Sequence, residues 1–419
     1  MQRALSLARY LPQYGFQVHV LSPSNPPSPV LDPALLNRVP PEVTTHWAWT
    51  PSPNARLRKR LWELVSRRRT ISSRSPRNAG GHSGVSGWIR RLLSPDPEVV
   101  WVPFALRRAR RIVKHYGIQS VVVTAPPFSA FLIGNALKRE FPALQLISDF
   151  RDEWLRFFLS TFDHDDGPQI HRRAKRIERD TVEVSDAVVT VTPSLVEELR
   201  QRYRGDVPAD RFMYIPNGYD PDLFSGFQPR RHEGSKIIVT YVGTVYSTTS
   251  PDRYFAALDQ LPEAVRDQIE THFIGRIAGD QQHLLESRSD VKLFGYVPQP
   301  EALRRMEETD YLLVIMKDPT AVTGKIYEYL ATGKPIIAFS PLGGEVDRTL
   351  QETRGGWNVD PEDDYAIRSF LQGLASGALS NDFHPDFDAI RCYDRTRLAG
   401  EFAALMKAKS VCSHVQAYD

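Results

Sequence analysis

The chain has 419 residues, of which 41% are hydrophobic and 25% are charged, and these proportions are ordinary for a globular protein. This length allows two or three domains with ample material for hydrophobic cores. The composition excludes a disulfide-stabilised scaffold, because only Cys392 and Cys412 occur. No apolar run reaches the roughly 20 residues of a transmembrane helix, and the N-terminus lacks the apolar region of a signal peptide, so we predict a cytoplasmic protein.

The formal net charge of +3 is unevenly distributed. Residues 53–92 contain eleven Arg and Lys against one acid, Glu63, so this segment carries +10 and the remainder carries −7. The positive charge is therefore a local feature and not a general property of the chain.

The chain opens with a helix followed by a strand. Residues 1–11 have apolar positions at helical spacing, residues 17–21 read as a strand, and residues 41–50 add an edge strand. A doubly wound nucleotide-binding domain begins instead with a strand that lies centrally in its sheet. We therefore expect either an α/β domain whose first strand is missing from this chain, or a misassigned start.

Two basic amphipathic pieces flank a flexible Ser/Gly/Arg stretch within residues 53–92. Basic amphipathic helices that carry Trp are typical of segments that bind an anionic membrane surface. A solvated helical face beside a flexible loop is the alternative, and nucleic acid is a weaker one because no binding motif accompanies the patch. The residues assigned to membrane or acceptor contact are Arg56, Arg58, Lys59, Arg60, Trp62, Arg67, Arg68, Trp88 and Arg90.

Strands and helices then alternate to residue 224, and the strands read as buried members of a parallel sheet. Residues 149–154 follow one of these strands, and charged residues at the carboxyl end of a parallel strand face the ligand crevice. Asp149, Arg151 and Asp152 are therefore candidate catalytic residues. The alternative is a buried Asp–Arg pair that only braces the fold.

The alternation restarts after a polar stretch at residues 225–234, which we predict to be a linker. The predicted fold class is α/β, with two Rossmann-like doubly wound domains and a C-terminal helix that crosses back to the first domain. The predicted boundaries are 1–224 for the N-terminal domain, including the basic insertion at 53–92, 235–385 for the C-terminal domain, and 386–419 for the last helix and tail.

The stretch at residues 323–335 separates two apolar strands and reads as a loop and a short helix. Gly324 would let the backbone turn closely, and free N–H groups at a helix start bind anions. Lys325 adds a positive charge, and Glu328 shares its helix face. This combination suits the phosphates and the ribose hydroxyls of a nucleotide sugar, although an ordinary surface ion pair is the alternative.

Eight short segments occur in an order typical of one enzyme family. With them the chain resembles retaining glycosyltransferases of the two-Rossmann-domain type, called GT-B, in glycosyltransferase family 4. The matching segments are residues 2–12, 97–103, 124–129, 149–154, 215–220, 241–243, 294–297 and 324–335.

The resemblance implies a donor nucleotide sugar held by the C-terminal domain, an acceptor held by the N-terminal domain, and domains that close over both across a cleft. Glu328 matches the ribose-binding carboxylate, and Lys325 resembles the cation that neutralises phosphate. The other donor-side positions are Gly243 and Thr244 in the glycine loop, Arg276, and Asn217 with Gly218 in the turn beside the hinge.

Two positions depart from the family pattern. Thr320 stands where many relatives have a second glutamate, and Thr244 stands where many have an arginine. Lys325 and Arg276 are therefore expected to matter more for the departing diphosphate. Asp149 or Asp152 is a candidate base for the acceptor hydroxyl.

We therefore expect a retaining, metal-independent glycosyltransferase that needs no cofactor beyond its nucleotide-sugar substrate. Its acceptor would be a lipid-linked sugar or polysaccharide in cell-envelope glycan synthesis, reached from the inner face of an anionic membrane, with no nucleic-acid partner. The alternatives are a non-catalytic or truncated nucleotide-sugar binder, and a sugar-nucleotide epimerase of similar two-domain shape. The first alternative follows from the missing strand, Thr244 and Thr320.

Overall fold

The structure is a computed structural model, and the chain divides into two compact units. The structure describes residues 2–26, 33–51, 93–158, 167–230, 232–379 and 382–415. Unit 1 comprises Met1–Val191, Leu195–Ile215 and Ala399–Asp419, and unit 2 comprises Thr192–Ser194 and Pro216–Leu398. Each unit is built on parallel strands, which confirms the predicted α/β class with two Rossmann-like parts.

The described residues of unit 1 form two parallel sheets. In the smaller sheet β1 (His19–Pro23) pairs with β2 (Thr44–Ala48). The larger sheet has the order β3-β4-β5-β6. Its strands are β3 (Ser120–Ala125), β4 (Gln145–Phe150), β5 (Ala187–Thr190) and β6 (Phe212–Tyr214).

The helices of unit 1 alternate with these strands, as parallel pairing requires. They are α1 (Gln2–Tyr10), α2 (Val102–Tyr116), α3 (Ala130–Glu140), α4 (Gly167–Val184) and α5 (Pro193–Arg202), whose first two residues belong to unit 2. Short 3-10 turns occur at Leu11–Tyr14, Pro33–Arg38, Pro97–Trp101 and Ala209–Arg211, and a π-helical turn at Trp154–Phe158.

β4 lies at the centre of the core of unit 1. All six of its residues are buried, because β3 and β5 flank it and helices cover the sheet. Beside it, the rings of Phe128 and Trp154 stack with their centroids 4.3 Å apart. This packing fixes the carboxyl end of β4, where Asp149 lies.

Unit 2 has one six-stranded parallel sheet with the order β12-β11-β10-β7-β8-β9. Its strands are β7 (Ile237–Val242), β8 (Ile269–Ile274), β9 (Val291–Gly295), β10 (Tyr311–Ile315), β11 (Ile336–Phe339) and β12 (Gly356–Val359). The strand order reverses between β7 and β10. Ligands bind at the carboxyl ends of the strands at such a reversal.

The helices of unit 2 cover both faces of this sheet. They are α6 (Pro221–Phe224), α7 (Asp252–Asp259), α8 (Glu263–Arg266), α9 (Gly279–Glu286), α10 (Gln299–Glu307), α11 (Lys325–Ala331), α12 (Glu345–Thr353), α13 (Asp364–Ala375) and α14 (Phe387–Arg391). A 3-10 turn spans Ser247–Thr249. The sequence did not predict α9, because Leu285 is its only buried residue and the apolar periodicity is weak.

The last helix, α15 (Arg395–Val415), belongs to both units. Its residues up to Leu398 lie in unit 2, and those from Ala399 onward lie in unit 1, where Phe402 is buried. The predicted return of the C-terminal helix to the first domain is therefore confirmed. In the ranges that the structure describes, every helix is too short or too polar to cross a bilayer.

Candidate functional site

Two glycines that follow neighbouring strands of unit 2 pack backbone to backbone. Gly243 follows β7 and Gly275 follows β8, and both have φ near +132°, which side chains rarely adopt. A Cβ on Gly275 would lie 2.2 Å from the carbonyl oxygen of Gly243. A Cβ on Gly243 would lie 3.0 Å from Nζ of Lys325. Because Gly243 has no side chain, the amino group of Lys325 can lie close to the backbone at the end of β7.

Lys325 is the first residue of α11, and its side chain lies against the end of β7. Its Nζ is 3.4 Å from the centroid of the Tyr241 ring, which is a cation–π contact. Burial lowers the pKa of Lys325 to about 7, although the nearby Glu328 carboxylate acts to raise it. A lysine in this state gains a full charge when an anion binds beside it.

Tyr329 holds α11 against β7. Its hydroxyl accepts a 2.7 Å hydrogen bond from the backbone N–H of Val242. The other buried side chains of α11 belong to Ile326, Tyr327 and Leu330. Lys325 and Glu328 therefore remain on the less buried side of the helix, as their spacing of three residues predicted.

Glu328 is paired with a residue that the sequence analysis did not select. Nη2 of Arg395 lies 3.6 Å from Oε1 of Glu328, and the arginine is only 8% exposed. The backbone N–H of Arg395 donates to the carbonyl of Tyr219, which fixes the start of α15. Arg395 thus holds the carboxylate in place, and no local sequence pattern could have shown this pairing across 67 positions.

The turn at Asn217 and Gly218 packs against the same segment. A Cβ on Gly218 would lie 2.1 Å from the carbonyl oxygen of Tyr393, so only glycine fits here. The backbone N–H of Tyr219 donates to that same carbonyl at 3.0 Å. Asn217 is half-buried. The structure thus connects this turn to Glu328 through residues 393–395.

The remaining positions that the sequence analysis discussed on the donor side are Thr244, Arg276, Gly324 and Thr320. The carbonyl of Thr244 accepts a hydrogen bond from the Tyr241 hydroxyl, and the side chain of Arg276 is exposed. Gly324 is exposed, has ordinary helical dihedral angles and has open space beside it, so the turn does not require a glycine there. The N–H and hydroxyl of Thr320 both donate to the buried carboxylate of Asp318 at 2.8 Å.

In unit 1, Asp149 forms a buried ion pair with a distant arginine. Its carboxylate has no exposed surface and accepts hydrogen bonds from Nε of Arg3 at 2.9 and 3.0 Å. Nη2 of Arg3 also donates to the carbonyl of Ile215, and its guanidinium lies 5.1 Å from the centroid of the Phe402 ring. The pair therefore connects α1, β4, β6 and α15.

Arg151 and Asp152 point in other directions. Nε of Arg151 donates to the carbonyl of Ala125 at 3.2 Å, and its Nη2 donates to the carbonyl of Pro126. Arg151 therefore supports the turn after β3. Asp152 is exposed to solvent. The surrounding protein desolvates the Asp152 carboxyl and raises its pKa, although the neighbouring Arg151 acts to lower it.

The sequence analysis also missed a buried charge network beside Glu153. Arg202 donates to the carboxylates of Glu153, Glu178 and Glu198 at 2.6 to 2.9 Å, and the Tyr203 hydroxyl donates to Glu178. Burial raises the pKa of Glu178, against the opposing effect of Arg202. This network joins α4 and α5 to the segment after β4 and has the character of a structural brace.

The predicted membrane-contact residues, from Arg56 to Arg90, lie outside the described residues. Next to the ends of that segment, the exposed rings of Trp49 and Phe104 meet edge to face, with centroids 5.1 Å apart. α2 exposes Arg107, Arg108 and Arg111, none of which forms an ion pair with another residue that the structure describes. Within these same ranges, no group of three His, Cys, Asp or Glu could hold a metal ion.

Comparison with known proteins identifies a family for part of the chain. Residues 69–223 match the family model described as Glycosyltransferase Family 4. A "Probable glycosyltransferase WbjE" of Pseudomonas aeruginosa is 30% identical over 105 residues, which are 24% of this chain. The match spans only about a quarter (26%) of that relative.

Solved structures with the same fold cover nearly the whole chain. Sucrose-phosphate synthase from Thermosynechococcus elongatus has a TM-score of 0.66 at 15% identity, over 97% of this chain and 92% of its own. HepE from Anabaena, in complex with UDP and glucose, has a TM-score of 0.59 at 12% identity, over 93% of this chain and 99% of its own. At these identities the likeness shows the fold.

Proposed function

We propose that this chain, which belongs to Glycosyltransferase Family 4 through residues 69–223, transfers a sugar from a nucleotide-diphosphate sugar to an acceptor hydroxyl with retention of configuration. The observation that carries the proposal is the approach of Lys325 to the backbone at Gly243, at the carboxyl end of the central strand of unit 2. This is where a doubly wound sheet binds a ligand.

The diphosphate of the donor binds in front of Gly243. The glycine lets phosphate oxygens approach the backbone, and Nζ of Lys325 supplies the charge. Since Thr244 replaces the arginine of many relatives, this lysine carries most of the neutralisation of the departing diphosphate. Arg276, exposed after β8, is a second cation for the same phosphates.

The ribose of the nucleotide binds to Glu328. A carboxylate that accepts from two vicinal hydroxyls must be held still, and the ion pair with Arg395 restricts it. Arg395 acts through Glu328 and is therefore a positioning residue. Asn217 and Gly218 support the same segment from the other side.

The reaction needs no nucleophile from the protein. The bond from the anomeric carbon to the diphosphate oxygen breaks, and the acceptor oxygen forms its bond on the same face. The acceptor proton passes to the departing phosphate or to a protein base. Lys325 stabilises the charge that develops on the diphosphate.

Asp152 is the better of the two candidate bases. Asp149 is fully buried and held by Arg3, so it has no access to an acceptor hydroxyl, whereas Asp152 is exposed just after the same strand. Asp149 and Arg151 position the segment. Asp152→Asn should abolish transfer and leave UDP binding unchanged. Unchanged turnover in this variant would exclude Asp152 as the base.

The acceptor is proposed to be a lipid-linked sugar or a polysaccharide at an anionic membrane surface. The basic composition of residues 53–92 supports this, and so do the exposed Trp49 and Phe104 rings beside the arginines of α2. Aromatic rings beside basic side chains are typical of surfaces that lie on a bilayer. Cell-envelope glycan synthesis is the process that this acceptor implies.

UDP binding tests the donor half directly. We expect Lys325→Met and Glu328→Gln each to weaken UDP binding roughly 10- to 100-fold, because each removes a charged partner. Lys317→Met, which changes an exposed lysine after β10, is the matched control and should bind as the wild type does. Equal affinity for UDP in all four proteins, measured by calorimetry, would place the donor elsewhere.

A non-catalytic nucleotide-sugar binder is the second candidate. Thr244 and Thr320 favour it, since both replace charged residues of many relatives and Thr320 is bonded to Asp318. Binding of UDP-glucose without any release of UDP, in the presence of acceptor lipids, would support this candidate over the transferase.

A further inference from the structure

The turn at residues 125–129 joins β3 to α3 at the carboxyl edge of the larger sheet of unit 1. β3 and β4 are adjacent strands, and Ala125 lies opposite Phe150 in their register. The turn therefore lies beside residues 151–154, which follow β4 and include Asp152, the candidate base. Whatever holds this turn also acts next to that carboxyl group.

Arg151 connects the turn to the segment after β4. Its backbone N–H donates to the carbonyl of Ala125 at 3.0 Å, its Nε donates to the same carbonyl at 3.2 Å, and its Nη2 donates to the carbonyl of Pro126. The stacked rings of Phe128 and Trp154, each only 1% exposed, form a second connection. The position of the turn therefore determines the position of the Arg151 guanidinium.

Asp96 holds the other end of the turn. Its Oδ2 accepts a 2.8 Å hydrogen bond from the backbone N–H of Ser129, which is 33 positions further along the chain and buried. Asp96 immediately precedes the 3-10 turn Pro97–Trp101. Residues 125–129 are thus held by Arg151 where they begin and by Asp96 where they end.

The Asp96 carboxyl is held at a cost in stability. Burial raises its pKa to about 6, although its contacts with Ser129 act to lower it, and Glu98 adds to the rise. Its second oxygen, Oδ1, is buried and has no hydrogen-bond partner in the part of the chain that the structure describes. A buried oxygen without a donor is destabilising. A Ser or Asn that caps a helix accepts from a backbone N–H without this charge, so stability alone does not account for an aspartate here.

The position of Arg151 affects the chemistry of Asp152. Burial raises the pKa of Asp152, the adjacent Arg151 acts to lower it, and Asp149 adds to the rise. A guanidinium that moves away from a carboxylate no longer favours its ionised form. Because a general base must be ionised to accept a proton, the contact with Arg151 favours the form of Asp152 that the reaction needs.

We propose that Asp96 is a positioning residue for the acceptor side of the reaction: it holds the turn at residues 125–129, and that turn holds Arg151 beside Asp152. The consequence for catalysis rests on the proposed function. The contacts themselves exist without a substrate, so they can be tested separately from the reaction.

Two substitutions of Asp96 separate its hydrogen bond from its charge. Asp96→Ala removes the oxygen that accepts from Ser129, whereas Asp96→Asn keeps an oxygen that can accept but removes the charge. We expect the Ser129 amide of Asp96→Ala to exchange at least about tenfold faster than that of the wild type. The pKa of Asp152, measured by carboxyl NMR, should rise in the same variant, and Asp96→Asn should resemble the wild type in both measurements.

Asp363→Ala is the matched control. Asp363 is also a carboxylate before a helix, and it accepts from the backbone N–H of Ala366 at 2.9 Å at the start of α13. Its loss should leave the exchange of Ser129 and the pKa of Asp152 unchanged. Asp96→Ser, whose hydroxyl is too short to reach Ser129, takes the place of Asp96→Ala if the alanine variant does not fold.

The Arg151→Met background tests whether the effect of Asp96 passes through Arg151. Without the guanidinium, Asp96→Ala should still speed the exchange of Ser129 but should no longer change the pKa of Asp152. An equal rise of that pKa with and without Arg151 would overturn the proposal. Unchanged exchange of Ser129 and an unchanged pKa of Asp152 in Asp96→Ala would also overturn it.

Turnover tests the consequence for the reaction. Asp96→Ala should lower kcat for UDP release in the presence of acceptor roughly 10- to 100-fold, because a small displacement near the reacting groups is costly. The Kd for UDP should stay unchanged, and Asp96→Asn should restore most of the rate. Equal losses of kcat in the two variants would overturn the positioning role. A wild type that releases no UDP would instead refute the proposed function, and the measurements on Ser129 and Asp152 would then decide the positioning role.

Discussion

Lys325 is the residue on which the proposed chemistry depends most. Burial over the ring of Tyr241 lowers its pKa to about 7, so the free protein holds this side chain partly uncharged near neutral pH. A bound diphosphate favours the charged form and raises that pKa again. Donor binding should therefore take up a proton.

The first prediction concerns the pH dependence of UDP binding. Because the pKa of Lys325 is raised on binding, the affinity gained from its charge is fully present below pH 7. This part of the affinity is lost as pH rises above 7, by up to about tenfold per pH unit. Calorimetry from pH 6 to pH 9 measures this slope. Lys325→Met should bind UDP weakly, and its affinity should not show this dependence on pH. Parallel pH profiles for the wild type and Lys325→Met would contradict the assignment of the effect to Lys325.

The second prediction concerns the paired glycines. Gly275→Ala should destabilise the protein by roughly 2 to 4 kcal/mol, because the added Cβ meets the carbonyl of Gly243 and φ is positive. Gly279→Ala is the control, since nothing lies within 4 Å of a Cβ there. Urea denaturation compares the two variants. A loss of stability in Gly279→Ala as large as that in Gly275→Ala would contradict the steric explanation.

Between elements, one ion pair connects segments that lie far apart in the chain. Arg3 on α1 holds Asp149 at the end of β4, 146 positions away, and also reaches β6 and α15. This pair therefore helps to fix the position of α1. The sequence left open whether Asp149 is a free carboxylate or part of a buried ion pair. Only the structure shows that Arg3 is its partner.

The third prediction follows from this pair. Arg3→Met should cost about 3 to 5 kcal/mol of unfolding free energy, because it leaves the Asp149 carboxylate buried and unpaired. Arg3→Met combined with Asp149→Asn should recover much of that loss. Arg110→Met, which breaks the exposed pair with Glu140, should cost about 1 kcal/mol or less. A double variant no more stable than Arg3→Met would show that the ion pair is not the cause.

The fourth prediction concerns the exposed face of α2. Replacing Arg107, Arg108 and Arg111 by Gln should weaken binding to vesicles that contain phosphatidylserine by about 100-fold, at about 1 kcal/mol per arginine. Replacing Arg253, Arg304 and Arg391 of unit 2 by Gln changes the net charge equally and should have little effect. Sedimentation with anionic and neutral vesicles measures both. Equal losses in the two triple variants would indicate a general effect of charge.

In the molecule as a whole, the proposed donor residues all belong to unit 2. Gly243, Lys325, Glu328 and Arg395 lie within Pro216–Leu398. Unit 1 contributes the acceptor-side candidates and the α2 face. The assignment of the donor to unit 2 and of the acceptor to unit 1 stays a prediction.

The fifth prediction uses this division. UDP at 100 times its Kd should stabilise the part of the protein that binds it by about 2.7 kcal/mol. Hydrogen exchange should therefore slow mainly in β7, α11 and the start of α15. Slowing confined to unit 1 would contradict the donor assignment.

Much of this protein was readable from local patterns. The alternation of apolar strands with amphipathic helices predicted two α/β units, and the spacing of Lys325 and Glu328 placed them on one helix face. Both signals depend on residues within a few positions of each other.

Tertiary structure alone decided which distant residues meet. Arg3 with Asp149, Arg395 with Glu328, and Gly275 with Gly243 are pairs that no periodicity encodes, because chain closure brings them together only when the sheets assemble. Residue types determined the class of protein and the candidate side chains, and packing determined which of those side chains are held, buried or free.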